Sequence, residues 1–161
     1  MKSLVRLSAV FVLALCAGCS SFHEKWNAAG EPGKYQRASR WEGRWTSARH
    51  RTASGAAEGG RLRCVLEPAS GSRMLAHFHA NWQAFSADYT VPFEPKTSPQ
   101  SKKHGVIADF RGTHELPKIF GGTYRYNAWI EGDRFRARYG SSYDTGTFEM
   151  TRKLTNVTRI H

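Results

Sequence analysis

Two histidines, His77 and His79, flank Phe78 in a run that alternates between apolar and polar residues. Residues two apart on an extended strand project from the same face, so the two imidazoles would stand side by side. That spacing can supply two ligands to a metal ion such as zinc, and a metal-dependent hydrolase is one function it would permit. Three residues elsewhere in the chain are candidates for the third ligand: Asp109, His104 and His114.

The same alternation favours a simpler interpretation of these histidines. Ala76, Phe78 and Ala80 form the apolar face of the run, so His77 and His79 are expected on the opposite, solvent-facing side. We therefore predict no metal and no cofactor, and the hydrolase is kept only as an alternative function.

Other catalytic signals are weaker. The stretch HELPK, residues 114–118, begins like a helical zinc-protease motif but lacks the second histidine, and Pro117 would break the helix. Cys64 lies between Leu62 and Leu66 on an apolar face, which is typical of a core thiol and not of a nucleophile. The chain has no Gly-x-Ser-x-Gly elbow and no phosphate loop. We predict no catalytic residue and a protein that is not an enzyme.

A row of three arginines is the remaining candidate for a binding site. Arg134, Arg136 and Arg138 alternate with apolar residues, which places three guanidinium groups on one strand face. The plain interpretation is a solvated outer face that discourages aggregation. The functional interpretation is contact with anionic lipid headgroups, lipopolysaccharide phosphates or another envelope polymer, because guanidinium pairs with phosphate and carboxylate in two-pronged geometry.

The first 18 residues have the character of an export signal. Lys2 and Arg6 precede an uncharged run, residues 7–17, that is shorter than the roughly 20 apolar residues a membrane span needs. Residues 15–19, LCAGC, resemble the lipobox of bacterial lipoproteins, in which a small pair of residues precedes an acylated cysteine. The resemblance implies that residues 1–18 are removed and that Cys19 receives the lipid. Cys16 suits the processing peptidase less well because it follows the bulky Leu15.

The resemblance also implies a location. In Gram-negative lipoproteins an aspartate after the lipidated cysteine retains the protein at the inner membrane, and here that residue is Ser20. We therefore expect the mature protein on the periplasmic face of the outer membrane, held there by its N-terminal lipid. An ordinary secretory signal with an unmodified Cys19 is the alternative.

Composition bounds what the rest of the chain can be. Removal of residues 1–18 leaves about 143 residues, enough for one domain with a core. The whole chain has 24 Lys and Arg against 13 Asp and Glu, a formal net charge of +11. Basic charge with aromatic residues can serve nucleic-acid binding, but an exported, membrane-held protein rarely meets nucleic acid, so that partner is not expected. With Cys16 removed and Cys19 acylated, Cys64 has no disulfide partner.

The chain divides into a polar segment and a segment with a two-residue period. Residues 19–40 show no sustained period and are interpreted as a flexible tether with a reach of roughly 25 Å. Residues 41–154 alternate strictly over about eight runs, which predicts half-buried antiparallel strands, and residues 155–161 form a short tail. We predict an all-β, up-and-down meander closed into a small barrel, with a β-sandwich as the alternative.

The start of the first strand supports the barrel. Gly43-Arg44-Trp45 resembles the Gly-x-Trp motif of lipocalins and their calycin relatives, avidins among them. In that family the tryptophan plugs the closed end of the barrel and an arginine from the last strand packs across it, a role that the resemblance gives to Arg152. It also implies an alternative function, a carrier of a small apolar ligand. An interior filled by side chains would argue against the carrier, whose cavity would be lined by Tyr89, Tyr124, Tyr126 and Phe135.

The leading hypothesis is therefore a non-enzymatic β-barrel module of the bacterial cell envelope, anchored by lipid on Cys19. Its expected partners are the membrane and an anionic envelope lipid or polymer.

Overall fold

The computed structural model describes residues 22–31, 37–83, 85–96, 108–118 and 121–154. They contain eight antiparallel strands, and the predicted up-and-down closed barrel is confirmed, whereas the sandwich alternative is wrong. Each strand pairs with its sequence neighbours, and β1 closes the barrel against β8. The strands are β1 (Ser39–Arg51), β2 (Ala57–Pro68), β3 (Met74–Trp82), β4 (Phe85–Pro95), β5 (Ala108–Glu115), β6 (Thr123–Glu131), β7 (Arg134–Gly140) and β8 (Thr145–Lys153).

The two-residue period separates the inside of the barrel from the outside. On β3, Ala76 and Phe78 are fully buried in the interior, while His77 between them faces outward. On β7, Phe135 and Ala137 are buried, and the arginines that alternate with them face outward. Burial of the inward set supplies most of the driving force for folding, because apolar area removed from water stabilises the fold by about 25 cal/mol per Å².

Two glycines occupy positions at which a side chain would be strained or would clash. Gly132 has φ of 56° in the tight connection between β6 and β7, a left-handed conformation that side chains rarely adopt. At Gly43 on β1, a side chain would run into the backbone of Glu149 and Met150 on β8. Gly43 therefore allows β1 and β8 to approach closely at the seam that closes the barrel.

A short helix, α1 (residues 22–28), is a difference from the sequence expectation. It lies within the segment interpreted as a flexible tether, and that interpretation is wrong for residues 22–31. Phe22 is 2% exposed and Ala29 is buried, and both pack with Trp26 against Val65 on the outer face of β2. Phe22, Trp26 and Ala29 are four and three residues apart, so a helix brings all three to one side.

Several sequence predictions lie outside the described residues. These are the signal segment 1–18, Cys19, His104 and the tail at 155–161. Across the described ranges, no helix is both long and apolar enough to cross a membrane.

Candidate functional site

The interior of the barrel is occupied by aromatic rings. Phe78 is at the centre of this cluster, with ring centroids 5.2 Å from Tyr89, 5.4 Å from Phe148 and 6.4 Å from Phe135. Phe93 contacts the same group from β4, with its centroid 6.5 Å from that of Phe78. Separations of 4.5–7 Å are those of packed aromatic pairs, so these rings fill the space that a ligand would need.

The four residues proposed to line a ligand cavity belong to this packing. Phe135 is fully buried and contacts Trp41, and Tyr126 packs on Phe148 at 5.9 Å. Burial raises the pKa of the Tyr89 hydroxyl well above its usual range. Tyr124 is half-buried near the end of the barrel where Tyr139 lies, 6.1 Å away. The arrangement does not favour a carrier.

One end of the barrel is closed by a tryptophan and an arginine. Trp41 is 0% exposed, its indole N–H donates to Ser39 Oγ at 2.9 Å, and the Arg152 guanidinium lies over its ring at 4.8 Å. This is the contact that the family resemblance assigned to Trp45, so that assignment is wrong by four residues. Trp45 instead donates to the carbonyl of Asn81 at 3.0 Å and meets Trp82 edge-on.

A buried polar network lies toward the other end. Ser47, 1% exposed, donates to Asp144 Oδ1 at 2.7 Å, and the Tyr139 hydroxyl donates to Oδ2 at 2.8 Å. Burial and the bond to Asp144 raise the pKa of Tyr139 far above its usual range. Ser47 Oγ also accepts from the backbone N–H groups of Arg49 and His50, so the hydroxyl is fixed as a structural link and is not a free nucleophile. No spacing signals this network, because Ser47 and Asp144 are 97 residues apart.

His77 and His79 share the outer face of β3, and each is bonded to a carboxylate. His77 Nε2 is 2.7 Å from Glu67 Oε1, and its Nδ1 is 2.9 Å from Thr90 Oγ1. His79 Nδ1 bonds to Asp88 Oδ1 at 2.5 Å. The expected outward direction is therefore correct.

The expectation of a solvent-facing side chain is wrong for His79, because α1 covers it, whereas His77 is half-buried. His79 is only 5% exposed, and the Phe22 ring stacks on it with centroids 5.2 Å apart. Lys25 of α1 reaches Glu67 at 3.2 Å. The Arg63 guanidinium lies 5.5 Å from the Phe22 ring and 5.4 Å from the Trp26 ring, so cation–π contacts add to the apolar ones.

The proposed third metal ligands are not brought to this pair. Asp109 is 3.6 Å from Lys96, and His114 packs beside Tyr89 at 5.4 Å. Burial lowers the pKa of His114, which keeps its imidazole neutral. Within the part of the chain that the structure describes, no three His, Cys, Asp or Glu side chains are grouped to hold a metal ion.

Docking of α1 is expected to weaken in acid through Glu67. Burial raises the pKa of this carboxyl, but bonds from His77 and Lys25 outweigh burial and hold the pKa below its usual range. A lowered pKa means that the stabilisation is present above the ordinary carboxyl pKa of about 4.3 and is lost as pH falls through it and below. We expect protection of the α1 amides from hydrogen exchange to fall about two- to five-fold across this range.

Glu67→Gln should show the reduced protection already at neutral pH, with little further change in acid. The matched control is Glu94→Gln, an exposed carboxyl on β4 that pairs with Arg111. Protection of α1 that stays the same in Glu67→Gln and in wild type would contradict this role.

The outer face of β7 and its neighbours carries a set of arginines that we call the arginine wall. Arg134, Arg136 and Arg138 are spaced about 7 Å apart along the strand, since each residue advances 3.3–3.4 Å. Arg136 lies opposite Glu149 in the register of β8, and Glu149 lies opposite Arg44 of β1. The arginine wall consists of Arg44, Arg125, Arg134, Arg136 and Arg138.

Most arginines of the wall have no ion-pair partner among the described residues. Arg136 is 3.8 Å from Glu131, but among the described residues no carboxylate pairs with Arg134, Arg138 or Arg44. Glu42, next along the surface, already binds Arg61 and Lys153, whose bonds outweigh burial and lower its pKa. Within the described residues, Arg44, Arg134 and Arg138 therefore present guanidinium groups that have no ion-pair partner.

An open groove of about 590 Å³ runs along this face. It is lined by Arg44 and Glu42 of β1, by Arg134 and Arg136 of β7, and by Glu149 and Thr151 of β8. Two carboxylates therefore lie among its three arginines. Sequence reasoning found the three arginines of β7 but missed Arg44, because only the closed barrel brings the first strand beside the last two.

Comparison with known proteins gives no assignment: no family model, curated protein or solved structure matches this chain.

Proposed function

We propose that this chain is a non-enzymatic, lipid-anchored β-barrel module of the bacterial cell envelope that contacts anionic envelope components through the arginine wall. The observation that carries the proposal is the set of arginines on β7 and β1 that have no carboxylate partner within the described residues. Guanidinium groups on a rigid strand bind phosphate or carboxylate at low entropic cost, because the backbone that spaces them is already ordered.

The anchor is the second part of the proposal. Acyl chains on Cys19 would hold the module at the periplasmic face of the outer membrane, and two or more chains give stable attachment where one does not. The packed interior supports a scaffold with a binding exterior over a carrier. The single histidine pair, His77 and His79, is not joined by a third ligand within the described residues.

The arginine wall is tested with a generic polyanion. We expect the purified full-length protein to bind heparin–agarose, and the triple variant Arg134→Gln, Arg136→Gln and Arg138→Gln to elute at about half the salt concentration, since salt screens these contacts. The control is Arg37→Gln, Arg51→Gln and Arg73→Gln, which removes the same charge from exposed positions elsewhere. Equal shifts for the two variants would show that net charge alone is responsible and would contradict the proposal.

A further inference from the structure

We infer that the arginine wall binds an anionic glycan polymer, a sugar chain with carboxylate or phosphate groups, and not the lipid leaflet that holds the anchor. The inference rests on the proposed function and names the partner class of the same surface. It follows from where α1 places the anchor relative to the wall.

α1 packs against one side of the barrel. Phe22, at its N-terminal end, contacts Arg63 of β2 and His79 of β3. In the closed order of eight strands, β6 and β7 are four strands away from β2 and β3. The β7 arginines of the wall, Arg134, Arg136 and Arg138, therefore lie on the side of the barrel opposite the helix, whereas Arg44 on β1 is one strand from β2.

The barrel is wider than the chain between Cys19 and Phe22 can reach. Strands about 4.8 Å apart, tilted by about 40°, give an eight-stranded barrel a backbone diameter of about 16 Å. Cys19 precedes Phe22 by three residues, which span at most about 11 Å when fully extended. A leaflet that holds Cys19 therefore cannot also lie flat against Arg134, Arg136 and Arg138 while α1 is docked.

Electrostatic attraction between the leaflet and the wall arginines is also weak at this distance. At physiological salt the Debye length is about 8 Å, so charges across a barrel of roughly 16 Å are about two screening lengths from the leaflet. The arginines are left facing whatever lies on the side away from the anchor.

The side chains beside the wall arginines are polar. The outward side chains of β8 beside them are hydroxyl-bearing or acidic, and none is aliphatic, whereas a membrane-binding face needs apolar side chains to insert. These outward residues are Thr145, Thr147, Glu149 and Thr151.

The neighbouring strand β6 adds an aromatic ring and an amide. Half-buried Trp129 lies opposite Arg136 in the register, and exposed Asn127 lies opposite Arg138. An indole offers a flat apolar face on which the C–H face of a sugar can pack. Hydroxyl and amide groups bond to sugar hydroxyls, and guanidinium groups bind the acidic substituents. An anionic glycan can contact the indole, the hydroxyl and amide groups, and the guanidinium groups together.

The test uses acylated full-length protein in phosphatidylcholine vesicles and measures, by mass spectrometry, how fast phenylglyoxal modifies the wall arginines. Purified peptidoglycan sacculi, a carboxylate-bearing glycan, are expected to slow modification of Arg134, Arg136 and Arg138 at least five-fold. Replacing a third of the phosphatidylcholine by phosphatidylglycerol is expected to leave the rate unchanged. Exposed Arg51 and Arg73 serve as internal controls whose rates should not respond to sacculi.

Trp129→Leu separates sugar packing from charge. It keeps an apolar side chain on β6 and every arginine, and it is expected to reduce protection by sacculi at least three-fold while leaving binding of inorganic polyphosphate, a polyanion without sugar, unchanged.

The outcomes distinguish this inference from the proposed function. Protection by phosphatidylglycerol but not by sacculi would overturn the glycan assignment and leave an anion-binding wall. Protection by neither would overturn both.

Discussion

Replacing Cys19 by serine is expected to abolish incorporation of labelled palmitate into this protein when it is expressed in a Gram-negative host. The thiol is the acceptor of the lipid in the lipoprotein family that residues 15–19 resemble, and a hydroxyl does not replace it. The variant should also leave the membrane fraction, because the loss of all acyl chains removes the anchor completely.

The other two cysteines make this experiment specific. Cys16→Ser changes a residue that the proposed cleavage removes, so its labelling should equal that of wild type. Cys64 is fully buried in the barrel, and burial raises the pKa of its thiol well above the usual range, so it offers no reactive site. Undiminished labelling of Cys19→Ser, or loss of labelling in Cys16→Ser, would refute the assignment of Cys19.

Phe78→Ala is expected to lower the free energy of unfolding by about 3–5 kcal/mol, the usual cost of truncating a buried phenylalanine. Its ring is fully buried and packs against Tyr89, Phe93 and Phe148 from three directions. The surrounding strands are joined in a closed barrel and can collapse only partly into the space, which places the expected loss at the upper end. Denaturant unfolding followed by circular dichroism measures it.

Phe85→Ala is the matched control for this truncation. Phe85 is the same residue type on β4 but is 65% exposed, so its loss should change the unfolding free energy by no more than about 0.5 kcal/mol. If the two variants lost equal stability, the aromatic cluster would not be the core of the fold. The cavity left by Phe78→Ala should also bind a small apolar probe such as benzene, whereas wild type should not.

Sequence periodicity was sufficient to predict the barrel because one physical constraint dominates it. Each strand has one face in the core and one outside, so the polarity of residues such as Phe78 and His77 reports their direction. The same constraint placed the arginines of β7 outside. Periodicity carries no information on which strands meet across the closing seam, and so Arg44 was not grouped with them.

Two other features, α1 and the Trp41–Arg152 contact, were not predicted because one is a short segment and the other joins residues far apart in the sequence. Residues 22–28 are fewer than the 12 or so that an isolated helix needs, so α1 depends on packing against β2 for its stability. Its available signals were the spacing of Phe22, Trp26 and Ala29 and the capping-box pattern Ser21-Phe22-His23-Glu24. The Trp41–Arg152 contact pairs residues more than a hundred positions apart, and the motif centred on Trp45 directed attention to the wrong tryptophan.

The strand order has a consequence for how the chain reaches its native state. Every seam of the barrel except one joins consecutive strands and can form as a local hairpin, whereas the seam between β1 and β8 joins residues 109 positions apart, as in the bond from Thr151 Oγ1 to the Glu42 carbonyl. Closing so long a loop carries the largest entropic cost, so this seam is expected to form last and to set the folding rate. Until then two unpaired edges are open to other chains, and charged side chains on them, such as Arg44 on β1 and Glu149 on β8, discourage intermolecular sheet formation.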